Sequence, residues 1–173
     1  MNMIEHIDHA GLRALRDFWL KLKGDRIAPS RSDFSPADLK PWLGNIILIN
    51  IEANPPRYYV RVAGSNITHD LGQEFSGKYY DQFLDRDVYE AIAEDFKKFT
   101  SAGKPFYYQG AFIEAPRRVR DYFRLVLPFS SDGESIDMVM IGLYLHRNDH
   151  FPIDANNLCR AMSSNEKIPA PLV

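Results

Sequence analysis

The chain has 173 residues, of which 45% are hydrophobic, 13% aromatic and 25% charged, with a formal net charge of -2. That length suits one domain, because single cores divide beyond roughly 250 to 300 residues, and the apolar content fills one core and excludes disorder throughout. The small net charge excludes nucleic acid and anionic membrane as first partners, since both need a concentrated basic face.

Cys159 is the single cysteine, so no internal disulfide forms and a reducing compartment is expected. The first residues lack a basic segment followed by an apolar run, and nowhere do about 18 apolar residues occur together. The expected location is the cytoplasm.

In chain order, Leu12, Leu15, Phe18, Trp19 and Leu22 recur at spacings of three and four, which predicts an amphipathic helix over 8–23, capped by Asp8 and stopped by Gly24. Residues 24–36 hold two prolines and read as a connector. Ser35 and Pro36 then start a short helix that Pro41 ends. Residues 46–52 and 58–63 predict a hairpin around Asn54-Pro-Pro-Arg.

A helical turn over 64–71 closes at Gly72, Gly77 marks another break, and 79–84 forms a further turn. Asp85 or Asp87 caps the next helix, in which Val88, Ile92, Phe96 and Phe99 form an apolar stripe. Residues 106–114, 119–129 and 135–146 predict three strands, antiparallel because the turns between them are too short for a crossover. The organisation expected is one domain over 1–147 and a weakly packed tail over 148–173 containing Pro152, Pro169 and Pro171.

Two strands, short helices, one connecting helix and three strands is the order of the PAS fold, and the segment with Gly72 and Gly77 resembles the corresponding PAS text. The chain also resembles a bacterial family of small stand-alone PAS-like proteins through Phe18-Trp19, the Pro-x-Arg-x-Asp-x-x-Pro run from Pro29 to Pro36, and the Arg-x-x-Gly-Ser run from Arg61 to Ser65. The resemblance covers 12–145. It implies an α+β fold with a five-stranded antiparallel sheet, short helices on one face and an additional N-terminal helix. It also implies a module that binds a small molecule in its cavity or pairs with another protein; the fold by itself does not fix which.

Catalysis finds no support, because Asp33, Asp85, Asp87, Glu90, Glu94 and Asp95 sit where caps and solvated faces are expected and no nucleophile, base and orienting group stand together. His146, His150 and Cys159 lack the close ligand pairs of a zinc site. Cys159 lies beyond the last strand, the wrong place for a flavin-reactive cysteine, and His69 alone is a weak haem ligand. Arg117, Arg118, Arg120, Tyr122 and Phe123 read as a hairpin tip rather than a nucleic-acid patch. Asp33 is expected to bridge to an arginine.

No cofactor is predicted, and an unidentified small-molecule ligand is expected to meet Arg61, His69, Tyr80, Phe123 and Met140 if the cavity binds one. Sequence alone does not say which strand faces line that cavity. The function expected is a non-catalytic sensory or interaction module acting in trans on an unknown signalling protein, as a homodimer paired through the N-terminal helix. A small-molecule carrier and an unrecognised enzyme are the alternatives.

Overall fold

The computed structural model describes residues 6–114, 118–146 and 151–164, without the side chains of 112–120 and 164. Helix α1 spans Ala10–Lys23. His9, not Asp8, caps it: the His9 ring accepts from the Leu12 amide at 3.4 Å. Over 35–42 the chain makes successive turns instead of the expected short helix. Ser35 donates its amide and hydroxyl to Asp38, so its oxygen is a donor to a carboxylate rather than an acceptor for helix amides.

Strands β1 (Ile46–Glu52) and β2 (Arg57–Ala63) form the first hairpin. Helices α2 (Ser65–Leu71) and α3 (Arg86–Ala102) then carry the chain across one face of the sheet. Strands β3 (Phe106–Glu114), β4 (Arg118–Phe129) and β5 (Met138–His146) return as a meander, giving the antiparallel order β2-β1-β5-β4-β3. The crossover over α2 and α3 delivers β3 to the far edge, so the closing strand β5 lies beside β1 in the middle. The expected α+β sheet with an additional N-terminal helix is therefore present.

Both sheet faces are covered, and two cores result. On one face Ile49, Val60, Tyr122, Val126, Val139 and Ile141 pack under the α3 stripe of Val88, Ile92, Phe96 and Phe99. On the other, Ile46, Leu48, Leu125, Leu127 and Met140 pack under Leu12, Leu15 and Trp19 of α1 and under Phe34 and Leu39 of the connector. Period-two alternation along β4 and β5 supplies one set of side chains to each core.

The motifs behind the family resemblance clamp α1 and the connector to the sheet. Trp19 is 1% exposed and donates its indole N–H to the Pro128 carbonyl at 2.8 Å. Pro29 accepts from the Ser130 amide at 2.9 Å. Asp33 takes the expected arginine bridge from Arg26, at 2.7 Å, and accepts from the Ser30 amide, which together hold its carboxyl below the usual range. Gly64 is required by close approach, because a Cβ there would stand 2.4 Å from the Gly44 carbonyl. Of the α1 face expected to pair two copies, Leu12, Leu15 and Trp19 are buried against the chain's own sheet, while Phe18 and Leu22 are only partly buried.

Within the segment expected to be a weakly packed tail, part of the described stretch 151–164 packs on the core. Helix α4 spans Ala155–Ser164, and Ile153, Ala155 and Leu158 join the α3-side core. The apolar positions 153, 158 and 162 supply the face that the prolines of this segment obscured. The Ile153 amide bonds the Asp70 carbonyl, the Asn156 side chain accepts from the Asp85 amide, and Arg160 pairs with Asp85 and Asp87.

Candidate functional site

Between the sheet and helices α3 and α4 lies a cavity of about 60 Å³, room for a few water-sized groups. Its walls are apolar side chains of β1, β2, β5, α3 and α4, interrupted by the polar groups of Tyr80, Asp95, Arg124 and Cys159.

Arg124 is 5% exposed. It stands on β4 among residues that face the α3-side core, with its guanidinium 4.5 Å from the Tyr108 ring centroid and 6.0 Å from that of Phe99. Among the described residues its guanidinium makes one hydrogen bond, a 3.4 Å contact to the Met162 carbonyl of α4, and its buried Nε has no partner. Asp95 is on the cavity wall too and pairs with Lys98 at 3.7 Å.

Tyr80 sits in a 3₁₀ turn, Tyr80–Gln82, between α2 and α3. Burial, together with Cys159, pushes its hydroxyl well above the usual phenol range, and Arg124 opposes the shift. Cys159 is half-buried as a residue, but burial pushes its cavity-lining thiol up to about 12. Such a thiol stays protonated near neutral pH and is a poor nucleophile.

Of the expected ligand residues, Tyr80 alone lines this cavity. His69 is exposed on α2. Phe123 and Met140 point to the opposite face, where Met140 lies in the core under α1 and Phe123 packs on the His9 ring at 5.4 Å. Arg61 is exposed because β1 and β2 slip by one residue: Leu48 pairs with Val62 and Ile49 with Val60, which leaves Arg61 as the extra residue of a bulge. The same bulge breaks the expected alternation, so Val60 and Ala63 share the cavity side while Val62 turns to the other face.

Arg124 and Cys159 were missed as cavity residues. The signal for Arg124 was an arginine between Phe123 and Leu125 inside a strand buried on both faces.

The arrangement does not fit a flavin or a haem. The cavity is small, and among the described residues no amide side chain lines it to meet a flavin's polar edge and no histidine reaches it. Among the described residues no group of three or more histidine, cysteine, aspartate or glutamate side chains is placed to hold a metal; His150 lies outside them. Tyr122 is buried in the α3-side core while Phe123 faces α1, so the two aromatics beside the arginine-rich tip form no shared surface. Arg117 and the side chains of Arg118 and Arg120 are outside the described set. Among the described residues no helix is long and apolar enough to cross a membrane.

A comparison with curated proteins finds no match. Among solved structures, the chain is similar to a Rhodobacter sphaeroides LOV protein at 12% identity and a TM-score of 0.42, over 58% of this chain and 58% of that one. It is also similar to a light-oxygen-voltage domain studied with a flavin analogue, at 11% identity and a TM-score of 0.42, over 75% of this chain and 91% of that one. A family model described as PAS domain matches residues 7–144. With that match spanning the sheet, both cores and most of the cavity wall, the chain belongs to the PAS domain family.

Proposed function

We propose that this PAS domain is a non-catalytic, cytoplasmic sensory module whose cavity takes a small molecule and which acts in trans on a separate signalling protein. The observation that carries the reading is the cavity wall itself: a buried arginine, a carboxylate, a phenol and a protonated thiol set into apolar side chains, with α4 on one side. Apolar walls with a few placed polar groups suit ligand binding. The absence of an activated nucleophile argues against chemistry at this site, since burial holds the Cys159 thiol protonated and Tyr80 neutral.

Helix α4 offers the route by which occupancy reaches the surface. Its inner side meets the cavity through Leu158, Cys159 and Met162, and its outer side carries Arg160 in exposed pairs with Asp85 and Asp87. A ligand that shifts α4 therefore changes charges presented to a partner. Native mass spectrometry of freshly purified protein, before and after unfolding and refolding in clean buffer, tests the ligand half of this reading. A mass increment that disappears on refolding supports it; bare polypeptide in both samples, with no saturable stabilisation by any member of a small-metabolite library, sinks it.

A further inference from the structure

We infer that the ligand is a monocarboxylate with a short apolar body, its carboxylate held by Arg124 and its body against Ile141, Leu143 and Leu158. This rests on the cavity reading above and names the chemical class of what the cavity takes.

The argument starts from charge. An arginine keeps its proton under all ordinary conditions, and removing that charge from water is costly unless an anion or a full set of acceptors replaces the solvent. Arg124 is 5% exposed and has one long contact to a carbonyl, with Nε unpartnered. The Tyr108 ring below it compensates in part, and the same ring leaves the guanidinium edge free to meet a planar anion in the cavity.

Asp95 does not fill that role. It pairs with Lys98 on its own helix and forms no ion pair with Arg124. The remaining polar groups agree with an anion: a neutral Tyr80 hydroxyl and a protonated Cys159 thiol can both donate, and neither brings negative charge. The rest of the wall is aliphatic and aromatic, which excludes an inorganic anion as the best occupant and calls for an apolar body. The space of about 60 Å³ available to water-sized groups keeps that body short.

The test uses the full chain and four probes: butyrate, hexanoate, 1-butanol and 1-hexanol, each titrated while the thermal unfolding midpoint and the heat of binding are followed. The expected result is saturable binding of a carboxylate, about tenfold to a hundredfold tighter than the alcohol of equal length. Arg124→Met should abolish that preference, bringing the carboxylate and the alcohol of equal length to the same affinity, and should keep or raise the unfolding midpoint, because an unpaired buried charge is replaced by an apolar side chain of similar length.

Equal binding of acid and alcohol by the native chain overturns the proposal without needing the variant. Alcohol binding with no carboxylate binding overturns it too but leaves the cavity reading standing. No binding of any probe, together with bare polypeptide by native mass spectrometry, removes both. A lowered midpoint for Arg124→Met with the carboxylate preference retained assigns Arg124 a packing role and overturns the inference.

Discussion

The Trp19 indole reaches across from α1 to donate to the Pro128 carbonyl at 2.8 Å, near the end of β4. Because both groups are buried, the bond fastens the helix to the sheet at a point where water cannot substitute. Trp19→Phe keeps most of the ring volume but orphans that carbonyl and should cost about 1 to 3 kcal/mol. Trp19→Ala adds a cavity and should cost about 3 to 5 kcal/mol. Urea unfolding followed by circular dichroism measures both; equal losses for the two variants would show that the hydrogen bond, not the packing, dominates.

Two glycines mark close approaches that differ in kind. At Gly64 an added Cβ meets the Gly44 carbonyl carbon and oxygen at 2.4 Å, and backbone cannot give way. At Gly142 it meets the Leu12 and Leu15 side-chain ends at 2.6 and 2.8 Å, which can shift. Gly64→Ala should therefore destabilise more than Gly142→Ala, with the latter near about 1 kcal/mol, the lower end of the overpacking range. Unfolding midpoints in the opposite order would contradict this assignment.

The order of elements along the chain and the buried α3 stripe were legible because period two and period 3.6 are written plainly between 46 and 146. The cavity was not legible for two physical reasons. The bulge at Arg61 inverts the inside and outside faces of β2 partway along, and nothing local announces a one-residue slip. The third wall comes from α4, whose apolar residues follow Pro152 and whose role depends on contacts with α2 and α3 distant in sequence. Residue type suits Phe123 and Met140 to a cavity wall, but alternation places them on the α1 side.

Acid should weaken the fold in two stages. Burial first, and the Arg13 charge second, hold the His9 ring below its ordinary pKa of 6.5, where it packs tilted against Tyr144 with centroids 3.9 Å apart and caps α1. A lowered folded value means the unfolded chain takes up the proton first, so this stability is complete above pH 6.5 and is lost as pH falls through the folded value. The depressed carboxyls of Asp33, Asp38 and Glu74 act with the same sign at lower pH, below the ordinary carboxylate range. Urea midpoints at about pH 7.5 and 5.5, on either side of the unperturbed histidine value, should fall for the native chain and fall less for His9→Gln. An identical fall in both would remove His9 from the account.

A thiol raised to about 12 reacts slowly with thiol reagents near neutral pH. Cys159 in the folded chain should be modified at least about a hundredfold more slowly than in the urea-unfolded chain, since the thiolate is the reacting species. Equal rates would show that α4 opens faster than the reagent attacks and that the cavity is not closed on that side.

Under the proposed function, ligands enter between the sheet and α3/α4 and not the core under α1. Methyl-labelled NMR separates the two, because Ile141, Leu143, Leu158 and Met162 line the cavity while Leu48, Leu127, Met138 and Met140 lie across the sheet. On titration with hexanoate, and separately with 1-hexanol, the first set should shift saturably and together while the second stays nearly fixed. Shifts confined to the second set, or no saturable shift in either with both probes, would contradict the claim.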